Sequence, residues 1–259
     1  MSDRRRRQKE QRAAKREAQR KQTARQELWR RLRIAIGFGG LIVAILVVGS
    51  LFGSDEGTVP SSYEGYRNQD TACGADRPEP ETPMTFDAPE EQEDLGDGAR
   101  AVIATSCGEI TIELDVEGFP ETVSSFVFLA RERFYDGQVF HRIVPNFVMQ
   151  GGDPQADGTG GPGYDISDEF PDSEFEYETG VVAMANRGRG TTGSQFFIVL
   201  GDSAETLTNQ FNIVGRVTEG FEALEAMAGV ELTNRPNTNE RSLPLETVYI
   251  DQITIETGA

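Results

Sequence analysis

The stretch FHRIVPNFVMQGGDP, residues 140–154, contributes to two short strand-like runs, QVFHRIV and NFVMQG. A single arginine, Arg142, lies among its apolar residues, and Gln150 follows eight positions later. Partial burial of a guanidinium is costly unless its donors find acceptors. Arg142 is therefore either an ordinary strand arginine whose charged end reaches solvent or part of a functional site. Composition alone favours the ordinary strand arginine.

Further strand-like runs lie on both sides of this stretch. On the N-terminal side, AVIATS and EITIELD are separated by Cys107-Gly108, which predicts a hairpin. On the C-terminal side four more runs follow, VVAMAN, SQFFIVL, FNIVGRV and TVYIDQITIE. Apolar residues at helical spacing predict a helix over residues 121–134, and FEALEAMAG predicts a second one. Many short strands with two helices are typical of a single antiparallel β-barrel closed by helices.

Four motifs in this order make the chain resemble the cyclophilins, and together they are far more specific than one short pattern. The similarity covers residues 100–256. It implies a mainly β fold, a closed eight-stranded antiparallel β-barrel with two capping helices and a proline-binding groove on its outer face. The four motifs are FHRIVPNFVMQGGDP (140–154), GTGGPGYDISDEF (158–170), VVAMANRGRGTTGSQFFIVL (181–200) and FNIVGRVTEGFEALEAM (211–227).

The resemblance implies a peptidyl-prolyl cis-trans isomerase, which accelerates rotation about X–Pro bonds without a cofactor. Unaided rotation crosses a barrier of about 18–20 kcal/mol. In the twisted transition state the amide loses resonance, and the proline nitrogen becomes a better hydrogen-bond acceptor. A donor aimed at this nitrogen binds the transition state more tightly than either planar isomer. By resemblance Arg142 is that donor, which reverses the interpretation drawn from composition.

The remaining catalytic and pocket residues are also implied by family position. Arg142, Gln150 and Phe147 form the catalytic group, in which Gln150 holds the substrate carbonyl and braces Arg142. An apolar socket receives the proline ring. Its expected lining consists of Phe147, Val148, Phe197, Leu207 and Phe211.

The resemblance also implies contacts beside the socket. Ala185 and Asn186 are expected to offer backbone contacts to the extended peptide, and Gln195 to line the adjoining groove. The sequence departs from the family pattern at Thr206, where a large aromatic is common, and at Val148, where methionine is common. These changes should weaken binding of the inhibitor cyclosporin and leave catalysis intact.

Other kinds of site do not fit the sequence. His141 is the only histidine, so the sequence lacks the residues for a histidine-based metal cluster and gives little basis for a Ser-His-Asp triad. We interpret it as a structural residue. The run GGDPQADGTGGPG lacks the Lys-Ser/Thr ending of a phosphate-binding loop, and DISDEFPDSEFEYE does not follow the spacing of an EF-hand and favours a solvated acidic face. We therefore expect neither a metal site nor a cofactor.

Charge divides the chain into two unequal parts. Residues 1–33 contain 14 basic and 4 acidic residues, whereas the remainder contains 11 basic and 39 acidic residues. Phosphates would be repelled by this acidic remainder, so we expect no nucleic-acid partner for the folded domain. We interpret residues 1–33 as a disordered cytoplasmic tail, with binding to anionic lipid or RNA as the alternative.

Residues 34–52, IAIGFGGLIVAILVVGSLF, form a run of 19 residues without a charge. As a helix this run is long enough to cross a hydrocarbon core of about 30 Å. We predict a retained transmembrane signal anchor, and a cleaved signal peptide is the alternative. The positive-inside rule then places the N-terminus in the cytoplasm. The prediction is a single-pass protein of the cell membrane with an extracytoplasmic catalytic domain.

Residues 53–99 are rich in proline and acidic residues and predict a disordered linker before the isomerase domain, residues 100–259. Cys73 and Cys107 both fall in the part expected outside the cell membrane. An oxidising compartment favours a disulfide between them, and two free thiols are the alternative. Geometry alone can decide between the two.

The resulting hypothesis is a monomeric, membrane-anchored isomerase that assists the folding of extracytoplasmic proteins through their prolines. One alternative is a binding module that captures proline-containing segments without turnover. Another is a structural tether whose basic head recruits lipid, RNA or ribosomes. Arg142 and Gln150 argue against the first alternative, and salt-sensitive association of residues 1–33 would support the second.

Overall fold

The structure is a computed structural model that describes residues 59–79, 84–89, 95–96 and 98–258. The predicted tail (1–33) and membrane span (34–52) lie outside these residues. Within the described ranges, no helix is both long enough and apolar enough to cross a bilayer. The fold reported below belongs to the compact unit Asp55–Ala259.

In the part of the chain that the structure describes, ten strands make up the β structure, and all of the pairings between them are antiparallel. Their bounds are β1 (Arg100–Thr105), β2 (Gly108–Leu114), β3 (Arg142–Val144), β4 (Val148–Gly151), β5 (Val181–Met184), β6 (Phe196–Val199), β7 (Ile213–Glu219), β8 (Leu232–Asn234), β9 (Arg241–Pro244) and β10 (Ile250–Glu256). Eight of them form one sheet in the order β10-β1-β2-β7-β5-β6-β4-β3, and β8 pairs with β9. The predicted mainly β fold and the number of strands in the main sheet are confirmed.

The main sheet curls, but its ladder has two ends, at β10 and β3, where the sequence predicts a closed barrel. The segments just before these two strands do meet. Val139 and Tyr249 form an antiparallel bridge, and the Phe140 N–H donates to the Val248 carbonyl at 3.0 Å. The pairing reaches the first residue of β10, because the Ile250 N–H donates to the Gln138 carbonyl at 2.8 Å, but it stops before β3 begins. It therefore joins the ends of the sheet without extending the ladder into β3.

Among the described residues, three α-helices accompany the sheet: α1 (Tyr63–Arg67), α2 (Pro120–Arg131) and α3 (Phe221–Ala228). The two predicted helices correspond to α2 and α3. Helix α2 begins at Pro120, where a missing N–H costs nothing. Two of its free N–H groups find an acceptor in a residue that is distant in sequence. The Glu169 carboxylate accepts from the backbone N–H of Glu121 at 3.1 Å and from that of Thr122 at 2.6 Å.

The strands β5 and β6 separate two apolar clusters. Val182, Met184 and Ile198 point into the larger cluster, which the helices cover. Their neighbours Phe197 and Val199 point into the smaller cluster on the opposite face, because successive side chains of a strand alternate. The larger cluster is the core of the domain and includes Phe126, Phe128, Phe140 and Phe196.

The hairpin of β8 and β9 is a feature that the sequence does not predict. Its connecting turn, residues 235–240, is polar and shows no strand-like alternation. Strand β9 lies against β3. The turn is thereby brought close to Arg142 at the start of β3.

Residues 59–79, here called the N-terminal strap, pack against the barrel although the sequence predicts a disordered linker over 53–99. Tyr66 is fully buried, and the Thr247 hydroxyl donates to its carbonyl at 2.6 Å. The Tyr63 hydroxyl donates to the Gly137 carbonyl at 2.8 Å. These two tyrosines supply the apolar surface that the surrounding acidic, proline-rich sequence lacks, so the strap can be ordered.

A disulfide ties the strap to the barrel. It joins Cys73 in the strap to Cys107 in the turn between β1 and β2, 34 residues away along the chain. Next to it, the Ala72 N–H donates to the Thr247 carbonyl at 2.9 Å. The strap is therefore held by a covalent link and by backbone hydrogen bonds.

Candidate active site

Three predicted site residues share the outer face of the sheet. Arg142 on β3 lies opposite Gln150 on β4, and Gln150 lies opposite Phe197 on β6. Directly opposed residues of antiparallel strands place their side chains on the same face. Phe197 belongs to the smaller apolar cluster, so the register of three neighbouring strands brings the arginine, the amide and the aromatic ring together.

The Arg142 guanidinium forms a two-point ion pair with the carboxylate of Glu240 on the β8–β9 turn. Nε donates to Oε1 at 2.8 Å, and Nη2 donates to Oε2 at 2.7 Å. The Arg142 Cζ atom also lies 5.8 Å from the centre of the Phe147 ring. The Arg142 side chain is 20% exposed, so its charged end is partly withdrawn from water and still reachable.

Glu240 is ionised under ordinary conditions. Burial of its carboxyl favours the neutral form, but hydrogen bonds from Arg142 and the positive charges of Arg142 and Arg235 outweigh it and lower the pKa of Glu240 to about 2. A carboxylate accepts strong hydrogen bonds from a guanidinium. Sequence reasoning missed Glu240 because it lies in a polar turn with no motif.

Gln150 belongs to a chain of amides rather than to the contacts of Arg142. Its Nε2 donates to Oε1 of Gln195 at 2.9 Å, and Nε2 of Gln195 donates to the Gly160 carbonyl at 2.9 Å. Among the residues described, no side-chain hydrogen bond joins Gln150 to Arg142. The partner of the Arg142 guanidinium in this structure is Glu240, and the bracing of Arg142 by Gln150 stays a prediction.

An apolar pocket adjoins the arginine. The rings of Phe197 and Phe211 meet edge to face, with centres 5.3 Å apart. Of the five residues expected to form the socket, Phe197 and Val148 are buried. The other three are only partly buried and present apolar surface to solvent. All five residues expected to form the socket fall in the smaller cluster: Phe147, Val148, Phe197, Leu207 and Phe211.

Tyr177 is a pocket residue that the sequence reasoning missed. Its ring centre lies 6.5 Å from Phe197 and 6.4 Å from Phe211. Its hydroxyl donates to the Phe211 carbonyl at 3.4 Å, and burial raises its pKa to about 12. Tyr177 lies in the run DISDEFPDSEFEYE, for which the sequence favours a solvated acidic face. The aromatic residues alternating with acids at the end of this run are the signal that points to a buried side.

Ala185 and Asn186 lie beside this pocket at the end of β5. The Ala185 N–H donates to the Gln195 carbonyl at 2.8 Å, and Nδ2 of Asn186 donates to the Gln210 carbonyl at 2.7 Å. These contacts tie Ala185 and Asn186 to the segments that carry Gln195 and Phe211. Thr206, where the family commonly has an aromatic, is exposed at the end of the 3-10 turn Asp202–Thr206.

His141 is a buried neighbour of the site. Its side chain is 1% exposed. Burial, assisted by the charges of Arg235 and Arg142, lowers the pKa of the imidazole to about 3, so the ring is neutral near pH 7. Across the described part of the chain, no group of three or more His, Cys, Asp or Glu side chains could hold a metal ion.

One family model matches most of the folded domain. The family model described as "Cyclophilin type peptidyl-prolyl cis-trans isomerase/CLD" matches residues 100–254. Peptidyl-prolyl cis-trans isomerase B of Streptomyces anulatus is 39% identical over an alignment of 175 residues, which covers 61% of this chain and 96% of the relative. The isomerase B of Bacillus subtilis is 45% identical over 120 residues, or 46% of this chain and 83% of the relative.

Solved structures give the same result. A cyclophilin type peptidyl-prolyl cis-trans isomerase of Cryptosporidium parvum is similar with a TM-score of 0.54 and 29% sequence identity, covering 62% of this chain and 98% of that one. A second crystal structure of that protein, in the presence of the dipeptide Ala-Pro, matches with the same TM-score and identity and covers 99% of that chain. The similarity therefore spans the whole of a cyclophilin domain.

Proposed function

This chain belongs to the cyclophilin-type peptidyl-prolyl cis-trans isomerases, and we propose that it acts outside the cytoplasmic membrane, tethered by residues 34–52, on proline-containing polypeptides. Peptidyl-prolyl isomerase activity follows from membership of this family and is not part of the proposal. The proposal concerns the residues that perform the reaction, the compartment and the clients. The observation that carries the catalytic assignment is the position of Arg142 beside the partly exposed apolar cluster that contains Phe147, Phe197 and Phe211.

In the proposed mechanism, Arg142 donates a hydrogen bond to the proline nitrogen as the X–Pro bond twists. The guanidinium stays charged at any relevant pH. In the planar amide the nitrogen lone pair is delocalised, so this hydrogen bond becomes strong only in the transition state. Lowering the barrier by about 7 kcal/mol corresponds to an acceleration of about 10⁵-fold. No nucleophile or proton transfer is required.

The pocket holds the proline ring while the rest of the substrate turns. Phe147 closes the side nearest Arg142, and Phe197 and Phe211 form an edge-to-face wall. Gln150 and Gln195, joined by a hydrogen bond, offer amide groups to a substrate carbonyl. The related protein crystallised in the presence of Ala-Pro supports the proposal that this groove accepts proline-containing peptides.

Two observations support an extracytoplasmic, membrane-tethered domain. The uncharged run 34–52 follows a strongly basic segment, as in a protein whose N-terminus stays in the cytoplasm. The disulfide between Cys73 and Cys107 suits an oxidising compartment, since disulfides rarely persist in the cytosol. Folding assistance for secreted or envelope proteins is the role that follows, with the domain acting as a monomer.

Catalysis is tested by measuring cis-trans exchange of a short Ala-Pro peptide by NMR, using the full chain in detergent. We expect fast exchange with the wild type and a loss on the order of 10²- to 10³-fold in Arg142→Ala. Arg100→Ala, which removes an exposed arginine at the start of β1, is the matched control. A folded wild type that binds the peptide without accelerating exchange would leave only a proline-binding module.

The compartment is tested by adding protease to intact cells that express the full chain. Digestion of the domain from outside, with residues 1–33 protected until the membrane is opened, is the expected result. A domain that is digested only after lysis would contradict the extracytoplasmic proposal while leaving the isomerase activity untouched.

A further inference from the structure

The ion pair between Arg142 and Glu240 leaves one edge of the guanidinium open. A guanidinium carries five N–H donors, and Glu240 engages the edge formed by Nε and Nη2. Nη1 makes no hydrogen bond with any residue that the structure describes. A two-point contact fixes the plane of the group as well as its position. We infer that Glu240 is a positioning residue that holds Arg142 with its remaining donors available to the substrate.

The turn that carries Glu240 is itself fixed by hydrogen bonds. The Arg235 N–H donates to the Glu240 carbonyl at 2.8 Å. The Thr238 hydroxyl accepts from the Glu240 N–H at 3.2 Å and donates to the Arg235 carbonyl at 3.0 Å. Because β9 also lies against β3, the carboxylate is presented to Arg142 by a braced element and not by a free side chain on an open loop.

The charges around Glu240 bear on whether this residue positions Arg142 or inhibits it. A lone carboxylate beside Arg142 would offset the positive charge that the transition state needs. Here Arg235 is a second cation close to the pair, and its charge stabilises ionised Glu240 together with that of Arg142. Arg235 in turn interacts with the Asp157 carboxylate as well as with Glu240. Glu240 therefore faces two guanidinium groups and is not the counter-charge of Arg142 alone.

This inference rests on the proposed catalytic role of Arg142. The experiment separates that role from the positioning role of Glu240. Exchange of an Ala-Pro peptide is measured with the full-length wild type, Glu240→Ala and Glu240→Gln. Misplacing a catalytic group by about 1 Å costs on the order of 10²-fold, so we expect kcat/KM to fall on the order of 10- to 100-fold in Glu240→Ala, mostly through kcat. Glu240→Gln keeps one acceptor oxygen and should retain more activity than the alanine variant.

The control and a second readout make the result specific. Glu246→Ala removes an exposed glutamate just after β9 and should keep wild-type activity. In the wild type, the Arg142 Nε–H resonance should exchange slowly with water. In Glu240→Ala it should exchange fast, while the backbone amide spectrum is preserved.

Each outcome of this experiment decides one question. Variants as active as the wild type, or more active, would overturn the positioning role and mark Glu240 as inert or inhibitory. If Glu240→Ala does not fold, the positioning role is judged from the nearly isosteric Glu240→Gln, by its activity relative to the wild type and by the exchange of its Arg142 Nε–H. An inactive, folded wild type with a protected Arg142 Nε–H would instead contradict the catalytic assignment of Arg142, while the ion pair itself would stand.

Discussion

The Tyr66 hydroxyl donates a hydrogen bond of 2.8 Å to the backbone carbonyl of His141, the residue immediately before Arg142. Tyr66 belongs to the N-terminal strap and is fully buried. Burial raises the pKa of its hydroxyl, so the group stays protonated and remains a donor. The strap thus supports the start of β3, the strand that carries Arg142.

We predict that Tyr66→Phe lowers the free energy of unfolding by about 1–3 kcal/mol, because the buried carbonyl of His141 loses its partner. Urea unfolding of the full chain measures this change. Tyr63→Phe is the matched control, since its hydroxyl donates to the Gly137 carbonyl in a less buried setting and should cost less. Equal losses in the two variants would contradict a special role for Tyr66.

Replacing Cys73 and Cys107 together by serine should lower the free energy of unfolding by about 3–4 kcal/mol, because the disulfide closes a loop of 34 residues. Urea unfolding with and without reductant measures the effect. The reduced wild type should match the double serine variant. Peptide exchange under conditions where both proteins are folded should stay unchanged, because neither cysteine belongs to the groove.

Phe211→Ala should weaken binding of a proline-containing peptide on the order of 10-fold, or about 1.4 kcal/mol, since the pocket loses one wall of its edge-to-face pair. An NMR titration of the peptide gives the Kd. The control is Phe221→Ala, which removes a phenylalanine that is 41% exposed on α3. If the two variants bind equally well, Phe211 does not line the substrate pocket.

The single histidine provides a test of the buried environment behind Arg142. The pKa of His141 is lowered from 6.5 to about 3 in the folded chain. As the pH falls below about 6.5, the imidazole of His141 binds a proton in the unfolded chain but not in the folded chain. The stabilising contribution of neutral His141 is therefore complete above this pH and is lost progressively toward pH 3.

NMR of the imidazole C–H groups checks this prediction directly, because the chain has no other histidine. In the folded protein the resonances should stay constant from about pH 8 to about pH 5, whereas in urea they should titrate near the ordinary value of about 6.5. A midpoint near 6.5 in the folded protein would show that the ring is accessible to solvent.

The strands around Arg142, Gln150 and Phe197 could be predicted from sequence because their information is local. Short apolar runs define β3, β4 and β6, and a family motif covers each of them. Antiparallel register then brings the three side chains together. The closure of the barrel could not be derived in this way, because it depends on how far the bridge at Val139 and Tyr249 continues.

Glu240 and Tyr66 escaped prediction for a different physical reason. Glu240 contacts Arg142 across 98 positions of the chain, and Tyr66 contacts His141 across 75. Both come from polar segments without apolar periodicity, where sequence favours loop or linker. Single long-range polar contacts leave no periodic trace in a sequence, so these partners are visible only in three dimensions.

The strap also determines how the domain behaves toward copies of itself. The N–H and carbonyl of Thr247 are occupied by the carbonyl of Asp70 and the N–H of Ala72, close to where the two ends of the sheet meet. A chain shortened to the predicted isomerase domain, residues 100–259, would uncover these groups. Exposed sheet edges recruit strands from other molecules. We therefore expect the shortened chain to self-associate more readily than the full chain.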